Sequence, residues 1–559
     1  MNADNAGAAA TAAVRAAAAA LWQIKLESPF VRASTGLPVT RIPAGSVDEA
    51  QHDADRARGI ADSLRGVGEE QLAESDRLTL QFLRHDLEQQ VQGAQSWWFT
   101  SPVAPYSSHH FSYYAQAAIG GAAIASAAEL ERRAGLWSDL SVALRAARQR
   151  LDLQASKGWR VAQPAIAPTV AAWRLLRDAL AAQLTPAADG ESLATSWAAQ
   201  ASVLRDREVL PAVDAVLEGL SDPAYAEAAP MQPGLMHLPR GDEAYRCLIH
   251  AHLTVADEPE RIHAQGLEEV AALAERMRAL RSRMGFSGPE AEFHAGLMQD
   301  PRVVAPTPED VGARYLRCMQ RIEPLLPRWF SHLPRSPYGV ERLRPEQEAG
   351  MTYGYYDKPQ AIGEQGTYRY NASDLATRSQ LQVAALIYHE LAPGHHFHLA
   401  RQMELDHLPA LRRNSLELSV FNEGWAEYAS GLAEEMGLYD NPFDLYGRLA
   451  HERFTAQRLV VDTGLNALGW TLEQARAYMR ENTLEGPAQV ASETLRYSTD
   501  MPAQALAYRL GYRWFSDLRR ETEARLGARF DVRGFHEAVL GEGALPLAAL
   551  RGHVERVVV

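Results

Sequence analysis

Apolar residues recur along most of this chain at the three- and four-residue steps of an amphipathic helix. The clearest stretch begins at Asp257, which can cap a helix, with Pro259 in the first turn and Glu260 in the capping-box position. Behind it Ile262, Gly266, Val270, Leu273, Met277, Leu280 and Met284 line one face, and Gly285 supplies the stop. Similar patterns predict helices over 138–157, 166–183, 308–331 and 471–482. Two stretches interrupt them. Residues 222–241, rich in Pro and Gly, suit a junction between two lobes. From Met351 to Asn371, MTYGYY and GTYRYN each alternate Tyr with smaller residues around a turn-rich loop. They read as two strands of a small sheet, or as aromatic packing under a loop. The fold class expected is mainly α.

At 559 residues the chain exceeds the size at which one core stops growing, and 47% hydrophobic against 23% charged residues gives an ordinary globular balance. A net charge of -14 argues against a nucleic-acid partner, since phosphate binding needs concentrated Lys and Arg. Cys247 and Cys318 stand far apart with no CxxC, which leaves no disulfide framework or thiolate metal site. The alanine-rich start lacks a basic leader and a lipid-accepting cysteine, and carries Asp4 and Arg15. It is expected to be a helical arm over 1–49, ahead of a unit over 50–559, in a cytoplasmic protein. No uncharged apolar run is long enough to span a membrane.

The chemistry concentrates in LQVAALIYHELAPGHHFHLA, residues 381–400. An apolar helix ends in His389-Glu390, and His395 and His396 follow Pro393-Gly394. Zinc takes imidazole nitrogens and carboxylate oxygens at about 2.0–2.2 Å, and a Glu beside the first ligand can take a proton from an attacking water. In an HExxH helix both histidines face one way, but position 393 is Pro. On an unbroken helix His395 would point about 240° away from His389, and His396 would sit about 10 Å along the axis. A bulge at Pro393-Gly394 absorbs two residues and returns His395 to His389, whereas His396 would need three absorbed. The plainer alternative is a helix that stops at Pro-Gly before surface histidines. His398 has no ligand-like spacing.

A third ligand is expected on the next helix, LSVFNEGWAEYASGLAEEMG (418–437), where Glu423 and Glu427 share a face among Phe421, Trp425 and Tyr428. Unpaired carboxylates there would be costly. Glu423 suits a ligand and Glu427 a support for an imidazole.

HELAPGHH, FNEGWAEYA, VDTGLNALGWTLEQA (461–475) and RYSTDMPAQALAYRLG (496–511) together resemble the domain-of-unknown-function 885 family of bacterial zinc peptidases, over roughly residues 50–555. GLEEV near 266 and GTYRYNASD near 366 agree. FNEGWAEY also resembles the NEGFA segment of zinc aminopeptidases, which implies a metal-binding role for Glu423. The resemblance implies a two-lobed, thimet-oligopeptidase-like fold with a deep central cleft and the small sheet beside the zinc helix. Two departures stand out: Asn466 replaces the family's usual His, which removes any proton transfer there, and Ala503 replaces Gly.

The late motif offers oxyanion donors. Tyr508 is one, or packs in the core; Tyr497 is a second; Gln504 shares the Tyr508 face if 504–511 is helical. Arg496 and Arg509 are candidates for a substrate carboxylate or for structural ion pairs. The expectation is one zinc per chain on His389, His395 and Glu423, with Glu390 as general base, acting on peptides. His396 is left for support or substrate contact, the zinc-site core runs from 351 to 515, and the strand at 366–371 is free to pair with an extended substrate. A zinc amidohydrolase acting on a non-peptide amide and a non-catalytic metal-binding scaffold are the rivals; retention of Glu390 speaks against the scaffold. Cleavage direction, side-chain preference and oligomeric state are not encoded legibly.

Overall fold

Alanine, leucine and valine at helical steps set the first element. In the computed structural model, which describes residues 3–119, 124–182, 191–344, 348, 353–376 and 378–559, α1 (Ala3–Lys25) buries Ala10, Val14, Ala17 and Leu21. It packs on α2 (Val47–Ser63) and α3 (Glu74–Phe99), and Lys25 pairs with Asp86 at 2.8 Å and with Glu417. The start of the chain therefore shares one apolar cluster with Leu83, Tyr388, Trp425 and Phe515. A separate cluster is built by α4 (Ala127–Ser156), α5 (Gln163–Ala182) and α6 (Leu210–Ser221) around Trp137, Trp173 and Val216. The expected end of α5 at residue 183 lies outside the described residues.

The 222–241 stretch is a short helix, Pro223–Glu227, and a 3-10 turn, Leu235–His237, running between these clusters and α7 (Gly241–Leu253). Gly234 adopts φ +120, and a Cβ there would collide with the carbonyl of Leu465. The following helix, α8 (Pro259–Arg283), buries the expected face from Ile262 to Leu280. Its cap is Glu258 and not Asp257; Asp257 instead accepts from the backbone N–H of Glu258 at 2.7 Å and from Arg261. Gly266 lets α8 approach Leu459 and Val460 closely enough that a Cβ would sit 2.8 Å from their side chains. Helix α9 (Pro308–Ile322) stops nine residues short of the expected 331, because Pro324 and Pro327 break the backbone ladder and leave only a 3-10 turn at Leu326–Arg328.

Among the described residues the small sheet has three strands, β1 (Tyr338–Arg342), β2 (Gly354–Asp357) and β3 (Gly366–Tyr370), in the order β1-β3-β2. β1 runs parallel to β3 and β2 antiparallel, with Tyr356 opposite Tyr368. Met351 and Thr352, expected at the start of the second strand, lie outside the described residues. Because β1 occupies the far side, β3 is the central strand and both its edges are bonded. The expectation that it pairs with substrate is corrected: it has no free edge.

Helices α10 (Val383–Glu390), α11 (His395–Met403), α12 (Ser419–Glu435), α13 (Pro442–Asn466), α14 (Leu472–Asn482) and α15 (Leu506–Leu526) complete the part that matters for chemistry. α12 packs along α15, and α10 lies against both α12 and α13. Thr471 and Gln474 form a reciprocal capping box at the start of α14.

Candidate metal centre

Five of the first seven residues of α10 are buried apolar or aromatic residues, which presses the helix into the core and buries His389 at its end. The helix breaks after Glu390. Pro393 has no N–H to continue it, and Gly394 takes a backbone path in which any Cβ would collide with the His389 carbonyl. Trp425, itself fully buried, donates its indole N–H to the Pro393 carbonyl at 3.0 Å and ties the break to α12. The chain resumes as α11 with His395 beside His389, ring centroids 4.7 Å apart.

Glu423 meets both. Its Oε2 lies 3.5 Å from His389 Nε2 and 3.4 Å from His395 Nε2, and it is buried without a hydrogen-bond partner. Burial alone would raise the Glu423 carboxyl, but the two imidazoles outweigh it and hold it well below the usual carboxylate range. Burial likewise opposes the charged form of His389, yet Glu423 and Glu427 push it up to about 10. Glu427 faces the other side of that ring, 3.2 Å from Nδ1, and its same oxygen lies 2.8 Å from His451 Nε2. Arg448 stands 3.7 Å away on the second oxygen. Glu390 is close enough to sense His389, His395, Glu423 and Glu427, and burial raises its carboxyl above the ordinary range.

His396 does not join this group. Its Nδ1 is bonded to the Tyr356 hydroxyl at 2.9 Å and its Nε2 to the Ser336 carbonyl at 3.0 Å, which ties α11 to the sheet; burial lowers it to about 4. Gly366 is required there, since a Cβ would sit 2.5 Å from His396 Nδ1 and from the Tyr356 hydroxyl.

Tyr508 lies beside the centre, its ring nearly parallel to that of His389 with centroids 6.1 Å apart. Tyr497 is fully buried and its hydroxyl is engaged, donating to Glu493 and accepting from Arg458 at 2.9 Å, which suits a structural role better than the expected oxyanion one. Arg509 is likewise engaged in the interior by Glu269 and, at 3.2 Å, by Glu452. Arg496 bonds Gln504 at 3.0 Å and Glu493 at 3.2 Å. The helix begins only at Leu506, so Gln504 lies in the turn before it and shares no helix face with Tyr508; its side chain instead hydrogen-bonds Tyr508. Asn466 is a buried staple: it accepts from the Leu235 N–H at 3.0 Å and donates to the carbonyls of Asp462 and Tyr497, both at 2.9 Å. Ala503 carries φ +69 and donates its N–H to Asp462, an arrangement that suits the family's Gly better than Ala.

Two residues escaped the sequence reading: His451 braces Glu427, and Arg458 packs on Tyr508. His398, set aside for its spacing, places Nε2 3.4 Å from His395 Nδ1. A signal existed on α13, where every residue from Tyr446 to Asn466 is buried although Arg448, His451, Glu452, Arg453, Arg458 and Asp462 are polar or charged. A buried helix that carries so many such groups must be pairing them.

Comparisons place these features in a wider context. The sequence model described as "Bacterial protein of unknown function (DUF885)" matches residues 29–554. No curated protein matches. Among solved structures, one described as a "putative lipoprotein" from Colwellia psychrerythraea shares 23% identity and a TM-score of 0.86, over 99% of both chains. A second, from Shewanella oneidensis and described as a "putative lipoprotein of unknown function", shares 15% identity and a TM-score of 0.73, over 96% of this chain and 98% of that one. These likenesses establish a shared fold. The expectation of a cytoplasmic protein is corrected: both of these solved structures are described as lipoproteins. Among the described residues, no helix is long and apolar enough to cross a membrane.

Proposed function

The chain belongs to the DUF885 family, and we propose that it is a zinc-dependent metallopeptidase acting on short peptides. One observation carries the reading: Glu423 Oε2 lies 3.5 and 3.4 Å from the Nε2 atoms of His389 and His395. Donors around one zinc at about 2.0–2.2 Å are separated by roughly 3–3.5 Å, so these three already stand at near-coordinating spacing. The lone buried oxygen of Glu423 supports the same fit, since a carboxylate left without a hydrogen bond needs a cation. Two imidazoles and a carboxylate suit zinc better than the all-oxygen shells of calcium or magnesium. Three protein donors are the number a catalytic zinc site uses.

Glu427 would hold the proton on His389 Nδ1, which leaves the Nε2 lone pair for the metal, and His451 and Arg448 keep Glu427 ionised and in place. Zinc bound there supplies Lewis acidity toward a scissile carbonyl and lowers the pKa of water to about 7. Glu390 takes the proton from the attacking water and returns it to the departing amine. The Tyr508 hydroxyl is the donor proposed for the oxyanion. The two-lobed, thimet-oligopeptidase-like cleft belongs to this proposal as well. The low exposure of His389, 5%, favours short or unfolded peptides over folded proteins.

The test is incubation of the purified protein with a mixed peptide library, with and without a chelator, with products read by mass spectrometry. Metal-dependent peptide fragments are expected. An intact library in the zinc-loaded sample rejects the peptidase reading and leaves a non-peptide amide as the substrate class to examine.

A further inference from the structure

We infer that Arg458 and Arg496 bind the free C-terminal carboxylate of the substrate, which makes the protein a carboxypeptidase that releases one or two residues. The inference rests on the peptidase reading above and adds its direction.

Tyr508 links the metal centre to Arg458: its ring runs nearly parallel to that of His389 with centroids 6.1 Å apart, and the guanidinium carbon of Arg458, on α13, sits 4.3 Å from its ring centroid. Arg496, on the π-helical turn Arg496–Asp500, meets Arg458 through one shared carboxylate: Glu493 Oε2 accepts from Arg458 at 3.3 Å and from Arg496 at 3.2 Å. Two guanidinium groups therefore share one carboxylate in a buried layer. The other carboxylates nearby take their hydrogen bonds from neutral donors, not from these two guanidinium groups. Glu485 accepts from Tyr353 at 2.6 Å, Asp462 from Tyr245 at 2.6 Å and from the Ala503 N–H, and Asp500 from the backbone N–H groups of Tyr106 and Ser107.

Donors are left over. Arg496 Nε is buried with no partner, and Arg458 bonds through Nε to Tyr497 and through one Nη to Glu493, which leaves its second Nη without a bond. A planar guanidinium fork matches a carboxylate best. A substrate carboxylate would supply the missing acceptors. An α-ammonium, which only donates, has no acceptor to offer these groups, which disfavours N-terminal trimming. An extended residue spans roughly 3.5 Å, so a carboxylate held beside Arg458 lies one or two residues beyond a bond positioned at His389.

The experiment uses the zinc-loaded full chain with N-acetylated tetra-alanine as the free acid and as the C-terminal amide. The acid should be cleaved with a kcat/KM about tenfold to a hundredfold higher, the range a charge-assisted hydrogen-bonded pair provides. Products should be alanine or di-alanine from the C-terminus. Arg496→Gln and Arg458→Lys should each collapse the acid-to-amide ratio toward one, a readout that a loss of folded protein does not move because both substrates see the same sample. Equal cleavage of acid and amide by the unmodified protein overturns this inference and leaves the peptidase reading standing. Cleavage of neither, where the peptide library is also intact, sinks the peptidase reading and this inference with it.

Discussion

Gly424 of α12 and Gly511 of α15 touch backbone to backbone: a Cβ on Gly424 would lie 2.5 Å from the Gly511 Cα. Each glycine sits within three residues of a site residue, Glu423 on one helix and Tyr508 on the other. The close crossing is what brings the carboxylate and the phenol to the same imidazole. Gly424→Ala must spread the two helices, an overpacking cost of about 1–3 kcal/mol with no flexible side chain to absorb it. A lower thermal midpoint and weaker zinc binding are expected together. An unchanged melt would show that the crossing has slack.

Glu390→Gln separates proton transfer from metal binding. The variant should keep its zinc and lose turnover by about 10²–10⁴-fold, the usual worth of a positioned general base. Full activity in this variant contradicts the mechanism, whatever the metal content.

The two neighbouring histidines should behave differently. His395→Ala should lose zinc, since two donors remain. His396→Ala should keep zinc and lose about 1–3 kcal/mol of stability, because the Tyr356 hydroxyl and the Ser336 carbonyl are left without their partner. Metal analysis and thermal melts on both variants decide the matter; zinc lost only from the His396 variant reverses the assignment.

How far all this was readable depends on how local each signal is. The break at Pro393-Gly394 and the acidic pair on 418–437 are visible because a proline, a glycine and a four-residue spacing act within one or two turns. The partners that complete the centre come from elsewhere. His451 stands 24 residues from Glu427 on another helix, and nothing near it in sequence marks the contact. Tyr497 and Tyr508 carry the same side chain at similar distances from the motif, and only the packing of Glu493 and Arg458 around Tyr497 separates them. The sheet shows the same limit: two strands were legible from alternation, but YGVER at 338–342 has too little pattern to announce the third strand that makes β3 central.

The two tyrosines give a paired prediction. Tyr508→Phe should hardly change stability and should lower turnover about 10²–10³-fold, as removal of one oxyanion donor does. Tyr497→Phe should do the reverse: it strips a buried hydrogen-bonded hydroxyl from Glu493 and Arg458, so stability falls by about 1–3 kcal/mol. Steady-state kinetics beside thermal melts would expose the roles if they are exchanged.

The central claim is one zinc held by His389, His395 and Glu423 and required for peptide hydrolysis. The most direct measurement is elemental analysis of protein purified without chelators, run in parallel on Glu423→Ala, with peptide hydrolysis followed before and after chelation and on zinc return. About one zinc per chain, its loss in Glu423→Ala, and activity that leaves and returns with the metal are the predicted results. A chain that carries no transition metal, or that cleaves peptides equally well after chelation, contradicts the account.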